Sequence, residues 1–159
     1  MSEGADTGLV TVSVEHFMWF VDNALDQMAG ILRELGDDLV NERPDLEGAN
    51  SPYVICFHCL GVMEFWGGAT VAERPVSRDR AAEFVATGTV AELLALASAA
   101  RGRLEEDLVD LRSMAAPQSV GEDAEPYNLA KGSVLLHIVE ELYQHLGQME
   151  LTRDVLVAR

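Results

Sequence analysis

Basic residues are scarce in this chain of 159 residues. Eleven lysines and arginines stand against 27 aspartates and glutamates, a formal net charge of −16. Nucleic acids and anionic membrane surfaces are held by basic patches, so neither is expected as a partner. The acidity is spread along the chain, which fits solvated helix faces rather than an acidic tail. Cysteine is scarcer still, at two. Without a second cysteine pair a zinc ribbon is excluded. No apolar run reaches the roughly 20 residues that span a bilayer, so no membrane segment is expected. Met1-Ser2-Glu3-Gly4-Ala5-Asp6 has neither the basic start nor the apolar stretch of a secretory signal. Two cysteines and no export signal point to a reducing cytoplasm. Strand-like alternation is confined to residues 9–14, and there is no internal repeat or low-complexity segment.

What the chain does have is helical periodicity. Residues 1–10 read as a flexible arm, and residues 11–159 as one domain long enough for a real core. Thr11 or Ser13 caps a first helix running to about residue 35, with Phe17, Phe20, Val21, Ala24, Leu25, Met28, Ile31, Leu32 and Leu35 at apolar spacing. Gly36-Asp37-Asp38 weakens it. Asn50-Ser51-Pro52 is a cap followed by proline at the first helical position. The second helix then runs to about residue 70 and is apolar almost all round, so it is expected to be the most buried element. A charged connection over about 71–88 follows, containing Pro75 and Arg78-Asp79-Arg80. Thr89-Val90-Ala91-Glu92 is a capping box. It opens a third helix to about residue 114, with Leu93, Leu96, Ala97, Ala100, Leu104, Leu108 and Leu111 facing inward. After a polar loop, Pro126 or Tyr127 opens the fourth. The fold class is therefore all-α, a four-helix bundle whose connection between helices 2 and 3 is long enough to cross the bundle end.

The fourth helix carries the most informative stretch, His137-Ile138-Val139-Glu140-Glu141-Leu142-Tyr143-Gln144-His145. His137, Glu141 and His145 follow one another at i, i+4 steps and stack on one helix face. Two imidazoles and a carboxylate suit a borderline divalent ion such as zinc. The Cα atoms of His137 and His145 are roughly 12 Å apart at helical rise, too far for both to reach one ion easily. One adjacent pair is expected to ligate, either His137 with Glu141 or Glu141 with His145, and the remaining histidine to orient a ligand from outside. Two ligands from one helix are too few, and His58 on helix 2 is the evident third. His16, beside Glu15, is expected to be exposed. Cys56 and Cys59 flank His58 well inside an apolar helix, so they read as small buried hydrophobes rather than a redox pair. Trp66, Phe65 and Met63 read as core, with pocket lining as their second role. Gly61, Gly67 and Gly68 mark close approach of another helix, or a helix end at Gly67.

These residues resemble a family. Cys56-Phe57-His58-Cys59-Leu60-Gly61-Val62-Met63-Glu64-Phe65-Trp66 looks like the second helix of the DinB-like superfamily, a histidine, then small residues, then aromatics. Arg78-Asp79-Arg80-Ala81-Ala82-Glu83-Phe84 is similar to the crossover of its mycothiol-transferase, maleylpyruvate isomerase-like branch. The last helix of that branch resembles His137, Glu140-Glu141, His145 and Gly147-Gln148, followed by Arg153-Asp154. The likeness runs from about Phe17 to Leu156. It implies an up-down-down-up bundle, often a homodimer, with a divalent ion, usually zinc or nickel, at one end. The family's ligands fall on His58, Glu141 and His145, which leaves His137 in the outer shell. The branch implies an ion that activates a low-molecular-weight thiol, mycothiol or bacillithiol, toward an electrophilic small molecule.

Three protein ligands leave a position open on an ion, the mark of a catalytic rather than a structural site. The chain's net acidity does not help an anionic thiol, so local positive charge has to come from the ion and from Arg78 or Arg80. The leading expectation is a metal-dependent thiol transferase or isomerase. Its rivals are a DinB-like metal- or small-ligand-binding stress protein without turnover, and a bundle without metal that only binds partners.

Overall fold

The structure, a computed structural model, describes residues 12–109, 111 and 130–158. The expected arm over 1–10 lies outside the described residues. Among those described there are helices and no strand: α1 (Val14–Leu39), α2 (Pro52–Met63) with a continuation over Glu64–Val71, a single-turn α3 (Arg80–Glu83), α4 (Val90–Val109) and α5 (Lys131–Val157).

The caps act where the sequence puts them. The Ser13 hydroxyl accepts the His16 N–H at 3.1 Å and the Ser51 hydroxyl accepts that of Val54 at 3.2 Å. Each satisfies a backbone donor that the first helical turn leaves over. Thr89 and Glu92 close the capping box reciprocally, and Asp37 adds a bond to the Val90 N–H at 2.7 Å. α1 continues past the expected end, but its backbone breaks at Gly36, which takes φ +61°. α4 is described to Val109, where the Leu111 N–H turns back to the Leu108 carbonyl; the expected end near residue 114 lies outside the described residues. α5 is described from Lys131, and the expected start at Pro126 or Tyr127 lies outside the described residues. Ala130 is extended there, and its carbonyl takes the Ser133 and Val134 N–H groups.

The pairing between helices gives their directions. α1 and α2 hardly touch each other, and each packs on both α4 and α5, so the two lie across a diagonal. Tyr143 donates to Asn23 and Arg153 faces Glu34, so α5 runs parallel to α1. Arg101 pairs with Asp22 and the start of α4 meets Asp37, so α4 runs against α1. His58 meets His145 and Trp66 meets His137, so α5 runs against α2. The order is up-down-down-up. Two parallel neighbours in sequence, α2 and α4, require the long crossover that carries α3.

α2 is the core of the bundle, with ten of its twelve residues buried. Together with its continuation it covers 20 residues, long and apolar enough to cross a bilayer by length and composition alone. The expectation that no run reaches that length is therefore corrected. The segment is mostly buried inside the bundle, where its apolar surface already has partners. Phe20 and Leu96, expected inside, are both 43% exposed, whereas Met18 is buried.

Past Met63 the helix widens. Glu64–Val71 is π-helical, and the Ala72 N–H reaches back five residues to Gly67. Gly67 and Gly68 permit this packing. A Cβ on Gly67 would strike the Leu104 side chain of α4, and one on Gly68 would lie 2.5 Å from the Arg74 guanidinium. Arg74 in turn donates to Glu64 and to both oxygens of Asp107, tying the widened turn to α4.

Candidate metal centre

The antiparallel pairing of α2 with α5 sets His58 opposite Glu141 and His145. One ligand atom from each of the three lies within 4.8 Å of the others. His58 Nε2 is 3.9 Å and His145 Nε2 3.3 Å from the same Glu141 oxygen, Oε2. Ligands about 2.1 Å from a tetrahedral ion stand about 3.4 Å apart, so these separations suit a single small ion. The donor set, two imidazoles and a carboxylate, suits zinc or another borderline divalent metal.

The far nitrogens are also engaged. His58 Nδ1 is 2.7 Å from Glu83 Oε2, and His145 Nδ1 is 2.9 Å from Gln148 Oε1. A donor at Nδ1 leaves the lone pair on Nε2, the nitrogen that faces Glu141, and ligating histidines are commonly oriented in this way. Glu141 is held well below the usual carboxylate range by the flanking imidazoles, His145 first and then His58, against the burial that raises it. His58 is pushed upward by Glu141 and Glu83 against its own desolvation.

His137 is buried beside this group. Its Nδ1 is 3.0 Å from Glu140, its Nε2 is 3.8 Å from Glu141 Oε1, and its ring stands edge-on to Trp66 with centroids 5.0 Å apart. The triad that converges is thus the one with His145, and His137 flanks it. A cavity of about 220 Å³ opens on His58, Glu141 and His137, walled by Phe65 and Trp66, with Arg78 and Arg80 also lining it. His145 is not among its lining residues.

Arg78 and Arg80 differ. Arg78 gives both arms of its guanidinium to Glu83, at 2.6 and 2.9 Å, and lies over the Phe65 ring. Arg80 is exposed. His16 is exposed at the first turn of α1, as its neighbour Glu15 suggests. Cys56 and Cys59 are free and buried, and burial pushes the Cys56 thiol up to about 12. Trp66 fills both of its expected roles, buried in the core and lining the cavity.

Sequence reasoning passed over Glu83, because nothing in a crossover's pattern shows which carboxylate turns inward. The only local signal is Gly61 on α2, whose missing Cβ leaves room for that carboxylate.

The family model of the DinB superfamily matches residues 21–149. The crystal structure of a conserved protein from Enterococcus faecalis superposes with a TM-score of 0.75 at 11% identity, covering 94% of this chain and 100% of that one. No curated protein matches the chain. The likeness to the E. faecalis protein is one of fold.

Proposed function

This chain belongs to the DinB superfamily, and from that membership we propose that it is a metal-dependent enzyme working through a low-molecular-weight thiol such as mycothiol. The observation that carries the proposal is the convergence of His58 Nε2, Glu141 Oε2 and His145 Nε2 on one small volume beside a cavity. These three residues would hold a divalent ion, zinc or nickel, whose Lewis acidity makes a thiol nucleophilic at neutral pH.

The rest follows from the chain's own groups. Cys56 and Cys59 are too buried and too weakly acidic to serve as the nucleophile, so the sulfur is brought in. The cavity, at about 220 Å³, is smaller than the roughly 300 Å³ at which sites for drug-sized ligands begin. It suits the cysteinyl end of a thiol, with the remainder outside. Arg80, exposed and lining the cavity, offers an anion contact. Arg78 is already neutralised by Glu83. Phe65 and Trp66 supply one apolar wall, and His137 lines the space that the ligand would enter. The protein acts in the cytoplasm, where its two cysteines stay reduced, and works as a homodimer.

Activity should need both metal and added thiol and should survive replacement of both cysteines. Cobalt substitution gives a direct test, because sulfur bound to cobalt produces a charge-transfer absorption. An unchanged cobalt spectrum with millimolar mycothiol, bacillithiol and glutathione would end the thiol reading. It would leave a DinB-like protein that binds metal or a small ligand without turnover, a reading that the small cavity also favours.

A further inference from the structure

Glu83 is a buried carboxylate, 4% exposed, on a crossover that is otherwise largely solvated. It takes three short contacts, from His58 Nδ1 at 2.7 Å and from Arg78 Nε and Nη2 at 2.6 and 2.9 Å. A buried carboxylate without such partners would be costly, so its place is built rather than incidental. Asp79 caps the single turn of α3 by accepting the Ala82 N–H at 3.0 Å, which directs Glu83 toward α2. Arg43 fixes the far end of that turn by donating to the Phe84 carbonyl at 2.7 Å. On α2 the receiving position is Gly61, three residues after His58. A Cβ there would lie 2.8 Å from the Glu83 carboxyl carbon and closer still to Oε1.

We infer that Glu83 is the positioning residue for His58, with Arg78 as its counter-charge and Gly61 as the clearance that admits it. The inference rests on the reading that His58, Glu141 and His145 bind a divalent ion. Glu83 accepts the Nδ1 proton, so the imidazole keeps the tautomer whose Nε2 lone pair faces Glu141 and His145. It also stops the ring from turning, and its negative charge makes Nε2 a stronger donor. Arg78 keeps the buried carboxylate ionised and neutralises it, so the added anion does not leave an uncompensated charge behind the ligand.

The test uses the full chain, zinc alone as the probe, and competition with a chromophoric chelator. Glu83→Ala should weaken zinc binding by about 10–100-fold, and Glu83→Gln, which keeps an acceptor oxygen, by less. Gly61→Ala should match Glu83→Ala, because its methyl expels the carboxylate. The double variant should be no weaker than Glu83→Ala, since both changes remove one interaction. Independently of any metal, nitrogen NMR of the metal-free protein at alkaline pH should show His58 protonated on Nδ1 in the wild type and as a mixture of tautomers in Glu83→Ala. Wild-type zinc affinity in folded Glu83→Ala, with His145→Ala impaired, overturns the inference and leaves Glu83 as a structural partner of Arg78. A wild-type His58 protonated on Nε2 overturns it whatever the zinc result. If the wild type binds no zinc, the ion reading fails and the tautomer measurement still decides the role of Glu83. If Glu83→Ala does not fold, Glu83→Gln and Gly61→Ala carry the same test.

Discussion

Adding zinc to the metal-free protein should raise its melting temperature, and the rise should vanish with the ligands. An ion at about 100 times its dissociation constant stabilises the state that binds it by about 2.7 kcal/mol. For a domain of this size 1 kcal/mol shifts the melting temperature by about 2–4 °C, so the expected rise is about 5–11 °C. His58, Glu141 and His145 sit on two different helices, and removing any one leaves two ligands and an open, hydrated site. The rise should therefore fall to near zero in His58→Ala, Glu141→Ala and His145→Ala. His137 approaches the triad at the far oxygen of Glu141, 3.8 Å away. Its alanine variant should weaken binding by about 10–100-fold, which is about 1.4–2.7 kcal/mol, and raising zinc by the same factor should restore the shift. Differential scanning calorimetry at fixed protein and stepped zinc concentrations reads all of this. A full rise in both His58→Ala and His145→Ala would place the site elsewhere. A rise lost in His137→Ala but kept in His145→Ala would identify His137 and Glu141 as the ligating pair.

The metal-free protein should be most stable in mildly acid solution. Glu64, Glu83 and Glu141 are held below their ordinary 4.5, so their contribution is present above that value and is lost as pH falls through their folded pKa values. His58 is raised above its ordinary 6.5, so its contribution is complete below that value and is lost as pH rises through its folded pKa. Denaturant midpoints across pH should peak between about 4.5 and 6.5, and a monotonic profile through that window would contradict the arrangement of charges. Replacing Cys56 and Cys59 together by alanine should cost about 1 kcal/mol each in urea unfolding while leaving zinc affinity unchanged. Gly67→Ala should cost about 1–3 kcal/mol because its methyl strikes Leu104, whereas Gly30→Ala, with open space at its Cβ, should stabilise α1 by up to about 1 kcal/mol. Equal effects at the two glycines would mean that α2 and α4 do not approach as closely as described.

Local chemistry made most of the fold legible. Ser13, Ser51-Pro52 and the Thr89–Glu92 box are short-range devices, and each starts a helix where its residues stand. The periodicity of α1 and α4 gave their inner faces but not the width of those faces. Phe20 and Leu96 sit at the margin, and only the neighbouring helices decide which way a margin falls. The widened turn over Glu64–Val71 was visible only as glycines unusual for a helix, because a shift from four-residue to five-residue bonding answers to packing against α4 and Arg74. The candidate triad was legible because two of its members share one helix stripe and histidines are few. Spacing alone left His137 and His145 as alternatives and the family resemblance pointed to His145; the register of α5 against α2, a property of the bundle, is what sets His145 beside His58.

The antiparallel seating of α5 on α2 also bears on kinetics. His58 is made early in the chain, while Glu141 and His145 follow only after the crossover, α4 and the segment beyond it. Until the last helix docks, two of the three ligands are absent, so an ion has little to hold and cannot template the earlier steps. An ion held there would act as a late clasp. Unless α5 is already docked at the folding barrier, saturating zinc should slow unfolding and leave the refolding rate almost unchanged. The protection would then appear as a longer lifetime of the folded state, with the route to that state left as the metal-free chain sets it.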